Sequence, residues 1–193
     1  MKRPAPDRPR PRATPRNPSL PPALRAALRR VRLFLCDVDG VLTNGTVLVG
    51  NRTEFKEFNI HDGLGLRLLS RHGIKVGWIS NRPSPATYQR AEELKVDFLV
   101  QDGGSKVRAI EAILTKTGCG WREVCYLGDD VVDLGPLRRA GVAVAVANAI
   151  PEAKAAAHFV TTAEGGRGAV REVAGLLLRA QGKWEAVLQE HDA

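Results

Sequence analysis

The chain has 193 residues, of which 44% are hydrophobic and 26% are charged, and its formal net charge is +8. This length fits one domain that folds without help from disulfides or a structural metal. No stretch approaches the roughly 20 apolar residues of a membrane-spanning helix. The three cysteines show no CxxC spacing, which argues against a disulfide framework and a zinc site and favours the reducing cytoplasm.

The positive charge is concentrated at the amino terminus. Residues 1–32 hold ten of the 29 Lys and Arg, one of the 21 Asp and Glu and eight of the 12 prolines, which leaves the remainder at −1. Because this composition buries too little apolar surface to offset the entropy of ordering, we predict a disordered basic tail over 1–30. A solubilising extension, an anion-binding arm and a transit peptide are all open interpretations of that tail. The expected folded domain spans 31–184, followed by a short tail over 185–193.

Behind the tail, short aliphatic segments alternate with helical patterns. In chain order the sequence predicts a strand at 31–36, a hairpin over 46–58, a helix at 62–72 capped by Asp62, a strand at 75–79, a helix at 84–94, a strand at 97–100, a helix at 105–116, a strand at 124–127, a helix at 131–140, a strand at 142–146, a helix at 150–157, a strand at 159–160 and a helix at 169–181. Continuous aliphatic strands that alternate with helices predict an α/β fold with a doubly wound, mainly parallel, Rossmann-like sheet covered on both faces.

Ligands of such sheets bind beyond the carboxyl ends of the strands. The first predicted strand ends in Asp37-Val38-Asp39-Gly40. The two carboxylates point the same way because strand side chains alternate, and their repulsion predicts a nearby cation. Taken alone, the segment is equally compatible with a solvated turn.

Polar side chains follow the other predicted strands as well. Ser80-Asn81-Arg82 offers a hydroxyl and a guanidinium to phosphate oxygens, and Lys106 lies at a helix N-terminus, which favours anions. The fourth strand is followed by Gly128-Asp129-Asp130 and by Asp133, which shares a helix face with Asp129, whereas Asp130 suits an N-cap. Each segment alone is also typical of an ordinary turn or a capped helix.

Together the residues at the four strand ends predict a metal-assisted phosphoryl-transfer site. Oxygen donors with no His or Cys beside them favour Mg²⁺ over Zn²⁺. An aspartate nucleophile, a hard cation and a lysine serve phosphoryl transfer through an aspartyl-phosphate.

In order, the four segments resemble the four motifs of the haloacid dehalogenase-like superfamily. Longer segments are similar to its capless sugar phosphatases that act on 3-deoxy-D-manno-octulosonate 8-phosphate, namely residues 37–45, 58–63, 128–133, 144–147 and 165–173. The resemblance covers about residues 31–184.

The resemblance implies a role for each motif residue. Asp37 would be the nucleophile and Asp39 the general acid and base. Asp37, the backbone carbonyl of Asp39, and Asp129 would hold Mg²⁺, while Asp133 would orient water or Lys106. Ser80 and Lys106 would bind the phosphoryl oxygens.

The resemblance also implies contacts to an acidic sugar. The residues carried over as substrate-binding are Asn59, His61, Asp62, Gly63, Arg67, Arg82 and Arg90. Arg67 and Arg90 are alternatively parts of solvated helix faces, and Arg167 either approaches a neighbouring site or belongs to a turn that caps the last helix. Two positions depart from the family pattern, since Ser80-Asn81-Arg82 replaces Thr-Gly-Arg and His61 stands where Arg or Lys is usual.

Too few residues follow the first motif to form a cap domain, so the resemblance places a protruding hairpin over 46–58 there. In similar capless enzymes this hairpin covers the site of a neighbouring subunit, which implies a homotetramer; a surface flap on a monomer is the alternative. The implied function is Mg²⁺-dependent hydrolysis of the octulosonate phosphate for lipopolysaccharide precursors in the cytoplasm, with no membrane or specific nucleic-acid partner. The alternatives are a phosphatase for a nonulosonate 9-phosphate and, in another class, a non-catalytic phospho-acceptor or interaction domain.

Overall fold

The computed structural model describes residues 20–51 and 53–192. In this part of the chain the strands are β1 (Leu33–Cys36), β2 (Leu48–Gly50), β3 (Thr53–Phe55), β4 (Lys75–Ser80), β5 (Phe98–Gln101), β6 (Val124–Gly128), β7 (Val142–Ala145) and β8 (Phe159–Val160). The α-helices are α1 (Pro22–Arg30), α2 (Ile60–Arg71), α3 (Pro85–Leu94), α4 (Lys106–Thr117), α5 (Leu134–Leu137), α6 (Pro151–Ala156), α7 (Ala169–Ala180) and α8 (Trp184–Gln189). None of these helices is both long and apolar enough to cross a membrane.

Six strands form one parallel sheet in the order β5-β4-β1-β6-β7-β8. All four residues of the central strand β1 are buried, as are those of β6 and β7, because both faces of these strands are covered. The chain leaves β1 toward β4 and β5, then returns across it to β6, so the strand order reverses beside β1. The predicted doubly wound α/β fold is confirmed, and its switch point lies where Asp37 leaves the sheet.

The helices form two layers. In the first layer α1 and α2 both pack against α7, and α2 also contacts α3. The second layer contains α4, α5 and α6, with α5 between the other two. Each layer buries the aliphatic stripe of its helices against the sheet, which yields one continuous core.

The predicted hairpin is present as the antiparallel pair β2 and β3, which forms a separate two-stranded sheet. The cross-strand partners Leu48 and Phe55 face outward and are 68% and 61% exposed, whereas Val49 is paired with Glu54 and shares its face. The intervening charged residues Glu54 and Lys56 face α3 instead, and the Lys56 side chain is fully buried. An apolar outer face on so small a sheet is the opposite of what a lone surface flap requires.

Both predicted domain boundaries differ from the structure. Residues 22–30 form α1, whose Leu24, Ala27 and Leu28 recur at helical spacing and are buried against the core, so this part of the expected tail is folded. The remainder of the predicted disordered tail, residues 1–19, lies outside the described residues. At the other end, α8 buries Val187 within the predicted C-terminal tail.

Two helix predictions also require correction. Asn59, rather than Asp62, caps α2, and its side chain accepts hydrogen bonds from the amides of residues 61 and 62. Asp62 is buried and accepts from the backbone amides of Gly168 and Arg171, so it satisfies free N–H groups at the start of α7. The predicted helix over 131–140 is a 3₁₀ turn, Val131–Asp133, followed by the short α5.

Candidate active site

The carboxyl ends of three neighbouring strands carry the predicted site. Asp37 follows β1, Ser80 ends β4, and Asp129 follows β6, while Lys106 enters from the first turn of α4. The Asp37, Asp129 and Asp133 carboxylates lie together, with one oxygen of each within 4.8 Å of the others. The structure therefore brings together residues separated by about half of the chain.

Asp133 is the anchor of this cluster. Its Oδ1 accepts hydrogen bonds from the Lys106 ammonium at 2.7 Å and the Tyr126 hydroxyl at 2.6 Å. Its Oδ2 accepts from the backbone amides of Asp129 at 2.9 Å and Asp130 at 3.3 Å. Four donors occupy the lone pairs of this fully buried carboxylate, so Asp133 holds the loop and Lys106 in place and has little capacity left for a metal.

Lys106 neutralises the cluster from one side. Its buried ammonium lies 2.8 Å from Asp37 Oδ1 and 2.7 Å from Asp133 Oδ1. Burial alone would lower the pKa of Lys106, but the charges of Asp37 and Asp133 raise it above its ordinary value. The lysine is therefore held as a cation against the predicted nucleophile.

One lysine does not balance three carboxylates. Burial and the charge of Asp133 raise the pKa of Asp37 to about 6. Burial and the charges of Asp37 and Asp133 raise the pKa of Asp129 to about 8. Asp129 Oδ1 is also buried without a hydrogen-bond partner among the described residues. A hard divalent cation fits this oxygen donor set, because it would bind the free oxygens of Asp37 and Asp129 and relieve their repulsion.

The approach to this cluster depends on Gly40. Its φ of +96° lies in the left-handed region, and a Cβ there would overlap the Asp129 carboxylate. The turn that contains Gly165 packs against the Gly40 carbonyl, where a side chain at residue 165 would also clash. Only glycine allows the backbone to pass this close to Asp129.

The second and third motif segments are tied together beside the cluster. The Ser80 hydroxyl accepts from the Arg82 amide at 3.0 Å, which closes a tight turn after β4. Asn81, at the position where glycine is usual, donates from Nδ2 to the Gly104 carbonyl at 3.0 Å, on the loop that leads to Lys106. The Asn81 side chain thus links the two loops across the edge of the sheet.

Asp39 lies apart from the three clustered carboxylates. Its carboxylate faces the hairpin, where the buried Lys56 ammonium lies 2.7 Å from Oδ1 and donates to Oδ2 at 2.9 Å. The Asp39 side chain is 25% exposed, so it remains accessible from solvent. The two aspartates of the first motif are therefore held by two different lysines.

An open cleft of about 840 Å³ extends from Lys56 between the hairpin and α3. It is lined by Arg82 and Arg90 together with apolar groups such as Val49 and Phe58. Arg82 pairs with Glu54, and Arg90 pairs with Glu93 at 2.7 Å. Two of the predicted substrate-binding arginines thus share one cleft.

The other predicted substrate residues lie outside this cleft. The side-chain oxygens of Asn59 and Asp62 accept hydrogen bonds from backbone amides. Gly63 is buried, and a Cβ there would clash with the Arg90 guanidinium. His61 is exposed and lines a different cavity beside Trp184. Two further arginines that the sequence analysis singled out also lie elsewhere. Arg67 is on the surface of α2, and Arg167 pairs with Glu57 at 3.4 Å.

Comparison with known proteins places this constellation in a family. The family model for haloacid dehalogenase-like hydrolases matches residues 80–172. A 3-deoxy-D-manno-octulosonate 8-phosphate phosphatase from Yersinia pestis is 42% identical over 80% of this chain and 83% of its own length. The chain belongs to the haloacid dehalogenase-like hydrolases. The family predicted from the four motifs is thereby confirmed.

Further relatives agree over most of the fold. The phosphatase of the same name from Escherichia coli strain B is 40% identical over 82% of this chain and 85% of its own length. The crystal structure of that phosphatase from Moraxella catarrhalis, in complex with a magnesium ion, a phosphate ion and a KDO molecule, superposes with a TM-score of 0.85 at 35% identity. It covers 87% of this chain and 97% of its own.

Sequence reasoning missed several residues of the site. Lys56 and Glu54 alternate with apolar residues in the hairpin, and this pattern predicts a strand without indicating which face is inward. Tyr126 was assigned only to a buried strand, yet its hydroxyl reaches Asp133. For Tyr126, the available signal was a polar hydroxyl inside an otherwise apolar strand.

The raised pKa of Asp129 predicts how the free energy of unfolding depends on pH. Between its ordinary value of 3.8 and about 8, the folded protein retains a proton that the unfolded chain has released, so this site lowers stability as pH rises through that window. We expect Asp129→Asn to raise the free energy of unfolding of metal-free protein by about 1–3 kcal/mol at pH 8 and much less at pH 4. Urea unfolding in EDTA measures this difference.

The exposed carboxylate variant Glu111→Gln on α4 is the matched control and is expected to show no such pH dependence. Added Mg²⁺ should stabilise the wild type more than Asp129→Asn, because the variant lacks one of the two free carboxylates. A metal-free Asp129→Asn protein that is less stable than the wild type at pH 8 would contradict this account of the cluster.

Proposed function

We propose that the protein is a Mg²⁺-dependent phosphatase that hydrolyses 3-deoxy-D-manno-octulosonate 8-phosphate to the free sugar acid and inorganic phosphate. The observation that carries the proposal is the contact of Lys106 with Asp37 beside the unpaired Asp129 oxygen, at the switch point of the sheet. Relatives about 40% identical over most of the chain bear the name of this phosphatase. The two arguments are independent, since one is chemical and the other is sequence similarity.

In the first step, a carboxylate oxygen of Asp37 attacks the phosphorus atom and the bond from phosphorus to the sugar oxygen breaks. Asp39 donates a proton to that leaving oxygen, which departs as the sugar hydroxyl. Lys106 and the Ser80 hydroxyl bind the phosphoryl oxygens and stabilise their charge in the transition state. The product on the protein is an acyl phosphate of Asp37.

In the second step, Asp39, now a carboxylate, takes a proton from water. The water oxygen attacks phosphorus, and the bond between phosphorus and the Asp37 oxygen breaks to release inorganic phosphate. Asp39 ends protonated and Asp37 ends as a carboxylate, so the site is ready for another cycle. Asp133 serves both steps indirectly because it fixes Lys106.

Asp37, Asp129 and the backbone carbonyl of Asp39 would hold Mg²⁺, which supplies positive charge that reduces the repulsion between the Asp37 carboxylate and the phosphate dianion. Asp133 would remain outside the metal's ligands, since its oxygens already accept four hydrogen bonds.

The cleft beside Lys56 suits an acidic sugar. Arg82 and Arg90 offer guanidinium groups that can bind a carboxylate, and the cleft of about 840 Å³ has room for an eight- or nine-carbon sugar acid. The nonulosonate 9-phosphates therefore remain the alternative substrates. Asn59, Asp62 and Gly63 would support the cleft rather than contact the sugar, and His61 and Arg67 stay predictions.

We further propose that the enzyme works as a homotetramer in the cytoplasm. Its product would serve the synthesis of lipopolysaccharide precursors. The outward-facing pair Leu48 and Phe55 of the hairpin supports a covered role against a neighbouring subunit. The three free cysteines agree with a reducing compartment.

A phosphate-release assay tests the proposed reaction. Octulosonate 8-phosphate should be hydrolysed with Mg²⁺ and spared with EDTA, and Asp37→Asn should lower kcat at least about 10³-fold because the nucleophile is lost. Glu111→Gln should retain wild-type turnover. Preference for a nonulosonate 9-phosphate would change the substrate and keep the chemistry, whereas no turnover of either sugar phosphate would contradict the proposal.

The assembly is tested by changing the outer face of the hairpin. Phe55→Glu should break the tetramer into smaller species, because each interface would lose the burial of an aromatic ring, worth about 1.5–3 kcal/mol, and gain a charge. Light scattering coupled to size exclusion measures the mass. Leu188→Glu, at another exposed apolar position on α8, should leave the tetramer intact. A monomeric wild type would contradict the proposed assembly.

A further inference from the structure

Lys56 is a buried cation outside the carboxylate cluster, and it contacts Asp39, a predicted catalytic residue. It follows β3, at the root of the hairpin, and its side chain has no exposed surface. Its ammonium contacts both oxygens of Asp39, at 2.7 Å and 2.9 Å, and donates to the Thr87 hydroxyl at 3.2 Å. The contacts to Asp39 Oδ2 and Thr87 are hydrogen bonds, and the contact to Asp39 Oδ1 is an ion pair, so the ammonium is held between the two side chains.

We propose that Lys56 is a positioning residue that orients the Asp39 carboxylate for proton transfer, so that the hairpin takes part in catalysis within its own subunit. The inference rests on the proposed phosphatase mechanism, in which Asp39 is the acid and base. The described contacts of the Lys56 ammonium are with Asp39 and Thr87 and not with the nucleophile Asp37, so it would act through Asp39.

The contacts around Lys56 explain how the hairpin holds this geometry. Thr87 is fully buried on α3, and its amide donates to the Ser84 hydroxyl that caps the same helix. Ser84 in turn hydrogen-bonds Glu54, which precedes Lys56 by two residues and also pairs with Arg82. The inward face of the hairpin is therefore bonded to the start of α3 at two points, Glu54 and Lys56.

Asp39 depends on this network for its orientation. Lys56 is the only hydrogen-bonding partner of the Asp39 carboxylate within residues 20–51 and 53–192. Contact of one ammonium with both oxygens restricts rotation of the carboxylate, which a contact to one oxygen would not. Without Lys56 the carboxylate would rotate into solvent, and proton transfer requires a distance of roughly 2.6–3.2 Å to the reacting oxygen.

The two half-reactions provide a specific readout. A sugar oxygen is a poor leaving group and needs a proton from Asp39, whereas an aryl oxide leaves without one. Hydrolysis of the acyl phosphate on Asp37 needs Asp39 as a base whichever substrate formed it. Loss of positioning should therefore spare only one event, the first release of an aryl oxide.

The experiment follows 4-nitrophenyl phosphate and octulosonate 8-phosphate with wild type, Lys56→Met and Lys56→Arg. With the aryl substrate, Lys56→Met should release the first equivalent of nitrophenolate at the wild-type rate and then turn over about 10- to 100-fold more slowly, as part of the ~10²–10⁴-fold effect of general acid–base catalysis. With the sugar phosphate, kcat should fall by a similar factor without a burst. Lys56→Arg, which keeps the charge, should recover part of the loss.

Lys116→Met, at an exposed position on α4, is the matched control and should behave as wild type. Thermal unfolding of each variant shows whether the fold is intact. A first release of nitrophenolate that slows together with steady-state turnover would make Lys56 a structural residue and overturn the proposal, as would unchanged turnover. A raised KM with unchanged kcat would indicate substrate binding instead and also overturn it. No turnover by the wild type would reject the proposed function itself, and the role of Lys56 with it.

Discussion

The active site of this protein depends on the confinement of three carboxylates in a buried space at the end of the central strands. Asp133 makes this arrangement possible, because four hydrogen bonds hold its charge and its Oδ1 fixes Lys106 against Asp37. The remaining repulsion appears in the raised pKa values of Asp37 and Asp129. The same unbalanced oxygens would attract a hard cation, whose positive charge would in turn attract a phosphate group.

The hairpin occupies the place in the chain where a cap domain would otherwise follow the first motif. Its strands place the apolar pair Leu48 and Phe55 outward and the charged Glu54 and Lys56 inward. The inward face connects Lys56 to Asp39 and Glu54 to Arg82, so it reaches both the proposed proton-transfer group and the proposed substrate cleft of its own subunit. The outward face suits a second subunit. One short segment would thereby serve catalysis within the chain and assembly between chains.

Much of this organisation could be predicted from the sequence. The sheet follows from aliphatic segments that alternate with helices, and the positions of Asp37, Ser80, Lys106 and Asp129 follow from the rule that ligands bind at strand ends. The partners of the side chains could not be predicted in the same way. Asp62 has the composition of a cap for its own helix, yet it caps α7, more than 100 residues away. Likewise, α1 looked like part of an Arg-rich tail because its three buried apolar residues are outnumbered by charged and proline neighbours.

In the proposed mechanism Asp37 carries the phosphoryl group during turnover. The direct measurement is acid quenching of the enzyme during hydrolysis of octulosonate 8-phosphate, followed by proteolysis at low pH and mass spectrometry of the peptides. The account predicts one phosphoryl group, bound as an acid-stable and base-labile acyl phosphate, on the peptide that contains Asp37. A phosphoryl group on another side chain would contradict it. So would the absence of a phosphorylated peptide in an Asp39→Asn variant given 4-nitrophenyl phosphate, whose leaving group needs no proton, because only the second step is slowed there.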